Sequence, residues 1–238
     1  MSRHSPCSGL TERRLRRLLQ RLLAHHGEQH WWPADTGFEV LVGAVLTQNA
    51  AWRNVERALA NLREEGLLDP VALVEAPVET VAAAIRPSGY FNVKTRRLRN
   101  LCIAYLQEGG LEGLLLQPTE TLRERLLAIN GIGRETADDI LLYACHRPVF
   151  VIDAYTRRIF QRLGWIQGDE GYERLRAAVE EALGPETTTF NELHAQLVTL
   201  GKATCRPAPC CSSCPLSDAC AYARGDAAMA LPPAAAGA

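Results

Sequence analysis

Apolar residues recur every three or four positions through most of the chain, a spacing typical of amphipathic α-helices. The first such stretch, 10–26, places five leucines on one face, with Thr11 as the predicted N-cap and Gly27 as the stop. Residues 38–50 are almost all apolar, which predicts a buried helix. Further helices are predicted at 52–65, 70–76, 78–85, 93–108, 119–129, 134–146, 153–164, 170–183 and 187–201. We therefore expect an all-α fold, with one Val-rich patch at 149–152 that could instead be extended.

The composition is that of a globular chain. Its 238 residues are 47% hydrophobic and carry a formal net charge of −1, which allows one large domain or two modest ones. No apolar run approaches the roughly 18–20 residues of a membrane helix, and 1–7 lacks the apolar core of a secretory signal. We expect a cytoplasmic protein and, since nothing points to obligate oligomerisation, a monomer. The last stretch, 226–238, is rich in Ala, Pro and Gly and is expected to be a disordered tail.

Five of the eight cysteines lie between residues 205 and 220. In a reducing compartment such a cluster favours a metal site over disulfide bonds. Zinc sites and iron–sulfur clusters both use four cysteine thiolates. The other three, Cys7, Cys102 and Cys145, are scattered, and the last two are interpreted as small buried apolar residues.

The pattern at 119–146 predicts two helices joined by the turn Asn130-Gly131-Ile132-Gly133. Two glycines permit a tight turn at positive φ and leave backbone N–H groups unobstructed. The first turn of the second helix therefore suits a phosphate oxygen, a contact that positions DNA without recognising its base sequence. An ordinary helical hairpin would have the same pattern, so the glycines alone do not decide between the two interpretations.

A carboxylate follows an apolar run shortly after this hairpin, in Val151-Ile152-Asp153-Ala154-Tyr155. Asp is a common helix N-cap, and capping is one interpretation of Asp153. A capping carboxylate can also be catalytic, because the helix then fixes its rotamer.

Taken together, these segments resemble the helix-hairpin-helix DNA glycosylases of the endonuclease III type. The resemblance rests on the hairpin sequence 127–137, on the Val-Ile-Asp-Ala-Tyr segment and on the four-cysteine tail, and it extends from about residue 30 to 222. It implies a two-lobed all-α fold with an active site in the cleft between the lobes. A helical barrel, 37–145, would contain the hairpin, and a second lobe, 1–36 with 146–222, would carry an iron–sulfur loop at 205–220.

The resemblance also assigns functional residues. Asp153 would be the carboxylate essential for cutting the N-glycosidic bond. The hairpin residues expected to contact double-stranded DNA are Gly131, Ile132, Gly133 and Arg134. The ligands expected for a [4Fe–4S] cluster are Cys205, Cys211, Cys214 and Cys220, with Cys210 as a spare or alternative ligand and zinc as the alternative metal.

One position in the hairpin indicates the reaction type. Bifunctional members of this family carry a lysine directly after Gly-x-Gly-Arg, and it attacks the sugar as a Schiff-base nucleophile. This chain has Glu135 there, and a carboxylate cannot form an imine. We therefore expect a monofunctional glycosylase without β-lyase activity, unless another lysine substitutes.

Three further segments, 30–33, 46–49 and 86–94, resemble one branch of the family, the endonuclease III-like 3-methyladenine DNA glycosylases. The resemblance implies that a flipped base stacks on aromatic side chains, and a cationic alkylated purine gains roughly 0.5–2 kcal/mol on a tryptophan face. The residues expected at this base pocket are Trp31, Trp32, Pro33, Trp52, Gln48 and Glu135. For Trp31 and Trp32 the alternative is core packing, and Trp52 also fits the face of an amphipathic helix. Gln48 could fill the gap left by the base or face solvent, and the alternative for Glu135 is that it only stabilises the first turn of its helix.

The expected function is therefore monofunctional release of alkylated purines, such as 3-methyladenine, from duplex DNA. One alternative is a glycosylase for mismatched or oxidised pyrimidines. The other is a non-catalytic iron–sulfur protein that binds DNA.

Basic residues cluster locally, as DNA binding requires even in a chain of near-zero net charge. The groups expected to contact DNA are Lys94, Arg96, Arg97 and Arg99, followed by Arg157 and Arg158. The group on the first helix, expected to be a solvated face, is Arg13, Arg14, Arg16, Arg17 and Arg21.

Overall fold

The computed structural model describes Cys7 and residues 9–226, and these residues contain helices and no strand. The expected all-α fold is therefore confirmed for this part of the chain. Its α-helices are α1 (Glu12–His26), α2 (Gly37–Leu46), α3 (Trp52–Glu64), α4 (Pro70–Glu75), α5 (Val78–Ala84), α6 (Phe91–Gln107), α7 (Gly110–Leu115), α8 (Thr119–Ala128), α9 (Arg134–Asp139), α10 (Ala154–Arg162), α11 (Tyr172–Leu183), α12 (Thr187–Ala203) and α13 (Ala221–Arg224). Apart from Asp226, the expected tail at 226–238 lies outside the described residues.

The Val-rich patch at 149–152 is a buried connection that belongs to neither a helix nor a strand. One element differs from the expectation. Helix α7 has no counterpart in the predicted pattern, because it is six residues long and buries only Leu114. Such a short element has too few turns to show a helical period.

None of the helices in the described ranges has the length and apolar character needed to cross a membrane.

The chain divides into two compact units. The middle unit is Trp32–Arg147, and the terminal unit combines the residues through Trp31 with those from Pro148 onward. The functional lobes proposed from the sequence, 37–145 and 1–36 with 146–222, stay a prediction.

The middle unit is built around α2, which is buried from Phe38 to Leu46. A helix that is apolar all round is stable only inside a core. It packs against α3, α6 and the π-helical turn Ile140–Ala144 that continues α9. The helix begins at the Thr36 N-cap, whose hydroxyl accepts the N–H of Glu39 at 3.1 Å.

In the terminal unit, α12 packs against α10 and α1, and α1 also packs against α11. On α1 the buried residues are Leu15, Leu18 and Leu22, one stripe of the predicted amphipathic helix. Where α10 and α12 meet, Gly201 lets the ring of Tyr155 approach the helix backbone: a Cβ there would lie 2.8 Å from the ring's Cγ. The absence of a side chain at Gly201 therefore sets how closely these two helices pack.

Gly201→Ala tests this close approach. We expect the free energy of unfolding to fall by about 1–3 kcal/mol, because an overpacked contact must displace the ring or the helix. Urea unfolding monitored by circular dichroism measures the change. The matched control is Gly171→Ala, since nothing lies within 4 Å of that Cβ position; a loss at Gly201 no larger than at Gly171 would contradict the prediction.

Candidate functional site

The hairpin turn has one buried anchor and an exposed tip. Gly131 adopts φ +98°, and a Cβ there would lie 2.9 Å from Cδ of Arg97, so only glycine fits. Ile132 is buried and holds the turn to the core. Gly133, Arg134 and Glu135 are exposed at the start of α9. The backbone N–H groups of the second helix are therefore carried on an accessible surface, as the DNA-binding interpretation requires.

A buried ion pair joins the two helices of the hairpin. The guanidinium of Arg123 on α8 donates to both carboxylate oxygens of Asp138 on α9, at 2.7 and 3.1 Å. Both side chains are buried, and a bidentate pair fixes geometry as well as charge. The angle between the helices is thus held rigidly behind the exposed tip.

Gln48 connects the end of α2 to the hairpin. Its amide nitrogen donates to the carbonyl of Gly131 at 3.1 Å and to the hydroxyl of Thr136 at 2.9 Å. Its amide oxygen accepts from the guanidinium of Arg97. The amide of Gln48 therefore joins the hairpin, through Gly131 and Thr136, to Arg97 of α6, and its expected role in filling the gap left by a flipped base stays a prediction. These residues border a cavity of about 520 Å³ that also includes the hairpin tip.

An aromatic cluster lies in the middle unit. The rings of Trp32 and Trp52 meet edge to face, with centroids 5.3 Å apart, and Tyr143 lies 5.3 Å from Trp32 on a tilted plane. Trp32 also lies against Gly43 of α2, where the indole nitrogen is 3.1 Å from the position of a Cβ. Two of the predicted pocket residues are thus brought together with a third aromatic ring.

The remaining predicted pocket residues, Trp31, Pro33 and Glu135, have the following surroundings. Trp31 belongs to the terminal unit, where the ammonium of Lys202 lies 5.0 Å above its ring centroid. Pro33 is exposed. Glu135 borders the hairpin cavity.

Tyr143 was missed from the sequence because the helix changes its period. Residues Ile140–Ala144 wind as a π-helical turn, which shifts the side chains away from their regular α-helical directions. A pattern with 3.6 residues per turn places Ala137 and Ile140 on the core face and gives no reason to single out the tyrosine.

Lys94 corrects one assignment. It was expected on DNA, yet it is 1% exposed and its ammonium donates to the carbonyls of Leu46 and Ser88 at 2.8 and 2.7 Å. Burial, and then the nearby charge of Arg97, lower the pKa of Lys94 to about 8. The side chain ties α2 to the turn before α6 and has no access to a phosphate.

The arginines expected on DNA are also largely engaged within the protein. Arg97 binds Gln48, and Arg99 binds the carbonyl of Ala76. Arg157 donates to the carbonyl of Glu170 at 2.8 Å. Arg158 donates to the carbonyls of Cys205 and Gly201 and lies over the ring of Tyr155. These contacts weaken the expectation that both groups serve mainly as phosphate ligands.

Asp153 caps α10 in the terminal unit. Its Oδ1 accepts the backbone N–H of Thr156 at 2.7 Å, and its Oδ2 lies 3.8 Å from Nε2 of His194 on α12. The carboxylate is 7% exposed and His194 is 4% exposed. The cap fixes the side-chain rotamer, so the carboxylate is both structural and held in one orientation.

The charge of Asp153 is set by opposing effects. Burial raises the pKa of its carboxyl, but the neighbouring imidazole of His194 and the bonds from Thr156 outweigh burial and leave the pKa below its ordinary value. The group is therefore ionised at neutral pH. This suits a residue that faces a developing positive charge.

His194 was not anticipated from the sequence. It lies in α12 between the buried residues Leu193 and Ala195. The only signal for it in the sequence was a titratable side chain at a position that faces the core. Its partner, Asp153, lies 41 positions earlier in the chain and is identified only by the fold.

The cysteines are all free thiols. Burial raises the pKa of Cys102 to about 12 and that of Cys145 to about 11, so these two are unreactive core residues as expected. Across residues 9–226 and Cys7, no set of three or more His, Cys, Asp or Glu is arranged to hold a metal ion.

Four cysteines of the C-terminal loop nevertheless interact with one another. Burial raises the pKa of Cys214, and so do the thiolate charges of Cys205, Cys220 and Cys211. Burial likewise raises the pKa of Cys220, with added effects from Cys205 and Cys211. Cys210 is exposed, and its sulfur accepts a hydrogen bond from the guanidinium of Arg206 at 3.3 Å. Four thiols that affect one another are a donor set whose chemistry fits a thiolate-bound metal ion or cluster.

Comparison with known proteins identifies the family. Residues 42–185 match the model of the HhH-GPD superfamily of base excision DNA repair proteins. A candidate DNA repair glycosylase of Methanocaldococcus jannaschii is 43% identical over 202 residues, which cover 84% of this chain and 92% of that protein.

Two solved structures are similar. The H. pylori 3-methyladenine DNA glycosylase, bound to 1,N6-ethenoadenine, is 29% identical with a TM-score of 0.71, over 80% of this chain and 96% of that one. A non-covalent endonuclease III–DNA complex is 22% identical with a TM-score of 0.77, over 91% of this chain and 98% of that one. At this level of identity the similarity shows a shared fold and nothing more. The chain belongs to the HhH-GPD superfamily and is a DNA repair glycosylase of that family.

The lowered pKa of Asp153 predicts how stability depends on pH. Its ionised form stabilises the fold fully above its ordinary pKa of 3.8, and this contribution is lost as the pH falls through the lower folded-state value. Asp153→Asn keeps a capping side chain but removes the charge. We expect the stability difference between wild type and variant, measured by urea unfolding from pH 6 to 3, to shrink as the pH falls.

The control for this series is Asp169→Asn, which neutralises an exposed carboxylate of the same unit. Its stability should follow the wild-type pH profile. If the free energies of unfolding of the wild type and of Asp153→Asn instead changed with pH in parallel, the carboxyl of Asp153 would have an ordinary pKa in the folded protein.

Proposed function

We propose that this glycosylase is monofunctional and releases alkylated purines, such as 3-methyladenine, from duplex DNA. The observation that carries the proposal is the buried, ionised carboxylate of Asp153, held by Thr156 and His194. A group fixed in this way can act on the sugar without reorganising. The aromatic cluster and the 29% identity to a 3-methyladenine glycosylase favour the substrate class.

The proposed reaction is hydrolysis of the N-glycosidic bond after base flipping. As the bond between the sugar and the base breaks, Asp153 stabilises the positive charge that develops on the sugar. It also orients a water molecule, whose oxygen bonds to the sugar carbon and whose proton leaves through the carboxylate. A cationic alkylated base departs as a neutral molecule, so no strong general acid is required.

The aromatic cluster supplies the recognition that such a base needs. A flipped base loses its stacking in the duplex, and aromatic faces compensate for that loss. The rings of Trp32, Trp52 and Tyr143 are in contact and are electron-rich, and a cationic purine gains roughly 0.5–2 kcal/mol over such a face. Trp31 already holds the ammonium of Lys202 on one face, so a base would use its other face or displace the lysine.

Hydrolysis without lyase chemistry is favoured by the scarcity of lysine. The chain contains two lysines, Lys94 and Lys202, and has Glu135 at the position of the family's nucleophile. Lys94 is buried with its ammonium bound to two carbonyls. Lys202 is the remaining side-chain amine, exposed on α12.

An iron–sulfur cluster is part of the proposal. Cys205, Cys211, Cys214 and Cys220 would hold it, and their mutual electrostatic interaction is the supporting observation. Crowded thiolates repel one another, and a bound cation relieves that repulsion. When bound, the cluster supplies a cross-link that stabilises the loop. Arg162 already organises this segment, since it donates to Sγ of Cys205 and to the carbonyls of Arg206 and Pro207.

Base release from methylated duplex DNA tests the function. We expect the wild type to release 3-methyladenine, with strand breaks only after alkali, and Asp153→Asn to be slower by about 10²–10³-fold in single turnover. Asp169→Asn serves as the matched control and should retain the wild-type rate. Chromatography of the released bases gives the products.

Other outcomes of this assay would redirect the proposal. Release from mismatched or oxidised pyrimidine substrates instead would keep the enzyme class and change the substrate. Binding to damaged duplex without any release would favour a non-catalytic DNA-binding protein. Nicking without alkali that Lys202→Ala abolishes would contradict the monofunctional assignment.

Two serine variants test the proposed ligand set. Cys211→Ser should lower the iron and acid-labile sulfide of the purified protein, whereas Cys210→Ser should leave both at the wild-type level. The physical reason is that Cys211 raises the pKa of Cys214 and Cys220, whereas Cys210 is exposed and its sulfur already accepts a hydrogen bond from Arg206. Loss of iron in the Cys210 variant alone would reverse the assignment, and stoichiometric zinc in place of iron would identify the other metal.

A further inference from the structure

The arginines of α1 line a cavity rather than a flat solvated face. A groove of about 730 Å³ in the terminal unit has Arg13, Arg14, Arg17 and Arg21 along one wall. Its other walls are 163–165, which follow α10, and 216–224, which carry Asp218 and Arg224. Five arginines and one aspartate therefore face a common volume, which we name the arginine groove.

Two of these arginines are available to a ligand. Arg13 and Arg17 are exposed, and among the described residues neither makes a hydrogen bond or an ion pair. Arg16, on another side of the same helix, behaves differently: it binds Glu12 at 2.8 Å and Glu186 at 3.1 Å. The charge of α1 is thus neutralised on one side and left open toward the groove.

The one acidic side chain in the groove is already committed. Asp218 accepts from the guanidinium of Arg21, with one contact at 3.1 Å, which joins α1 to the loop between Cys214 and Cys220. The groove therefore keeps a positive surplus, and one wall of it is fixed in place.

The spacing of the arginines opposes helix stability. Arg13, Arg17 and Arg21 follow one another at i, i+4 and i+8, about 6 Å apart along the axis. Like charges at i,i+4 destabilise a helix by roughly 0.2–0.5 kcal/mol per pair. A row of this kind becomes favourable when an anion lies along it. Guanidinium groups bind phosphates through two parallel hydrogen bonds, which suits a polymer of phosphates.

We infer that the arginine groove binds the sugar–phosphate backbone of DNA at a place separate from Asp153. Helix α10 is nine residues long, with Asp153 at its N-terminal end and the groove residues 163–165 just beyond its C-terminal end. The two sites are therefore about 14 Å apart along that helix. Phosphates in the groove belong to a segment of DNA other than the nucleotide acted on by Asp153.

DNA is favoured over an acidic protein because the same chain acts on DNA, a point that rests on the proposed function. A second, weak contact to a polymer that is already bound raises the overall affinity through effective concentration. Trp165 forms part of the groove wall and is half-buried, with its ring centroid 5.7 Å from that of Phe160. A base of single-stranded DNA could stack on this indole. Flanking duplex and single strand share the phosphate chemistry, and the experiment separates them.

The test compares the salt dependence of DNA binding. Wild type and Arg13→Ala/Arg17→Ala are titrated by fluorescence anisotropy against an undamaged 30-base-pair duplex and the corresponding single strand, over a range of salt concentrations. Removal of two phosphate contacts should reduce the slope of log K against log salt by about 1.8 for duplex. Because both side chains are exposed, circular dichroism should be unchanged.

The control variant is Arg57→Ala/Arg174→Ala, which removes two exposed arginines from α3 and α11 and should keep the wild-type slope. A reduced slope for duplex identifies flanking DNA as the ligand, and a reduction confined to the single strand identifies that form. A groove variant with the wild-type slope on both DNAs overturns the inference. The inference is also overturned if the groove variant keeps the wild-type salt dependence of DNA binding but no longer binds labelled polyglutamate. That result would identify an acidic protein as the ligand.

The outcome is independent of base release. Single-turnover release from a short duplex, at saturating enzyme, should be equal in wild type and the groove variant. If the wild type releases no base while the groove variant still has the reduced slope, the proposed function fails and the arginine groove stands as a DNA contact.

Discussion

The rest of the candidate site depends on how Asp153 is buried. A carboxylate in a protein interior is unfavourable unless hydrogen bonds and opposite charge compensate for its lost hydration. Here the compensation comes from the N–H of Thr156, one turn into α10, and from His194 on α12. The interactions that make burial tolerable also begin α10 and join it to α12. Loss of the carboxylate's environment would therefore disturb the helix pair as well as the chemistry.

Helix α10 links this carboxylate to the cysteine loop. Asp153 caps its first turn, and Arg162 at its last position donates to Cys205 and to two carbonyls of the loop. The loop has little regular structure of its own, so side chains from neighbouring helices determine its path. Arg21 does the same from α1 through Asp218. A cross-link through the four thiols would strengthen an arrangement that these arginines already impose.

Local patterns predicted most of the helices and the position of Asp153 at the start of one of them, because periodicity and a motif are properties of adjacent residues. The misses have physical causes that no local pattern carries. Lys94 was expected on the surface, as charged residues usually are, but its ammonium is buried and bound by the carbonyl of Ser88 and by that of Leu46, which is distant in sequence. Tyr143 joins Trp32 because a π-helical turn changes the direction of its side chain. His194 and the arginine groove are visible only once helices far apart in sequence are packed together.

The choice of basic residue is consistent with hydrolysis rather than lyase chemistry. Of the 26 basic residues counted as lysine or arginine, two are lysines. A glycosylase leaves an aldehyde-forming sugar in the DNA, and a nearby amine can condense with it to an imine and open the way to strand cleavage. Arginine stays protonated and cannot do this, yet it binds phosphate at least as well. In the proposed function, a surface that holds DNA through arginine would keep the abasic product intact, and the near absence of lysine would extend the argument made by Glu135 from one position to the whole chain.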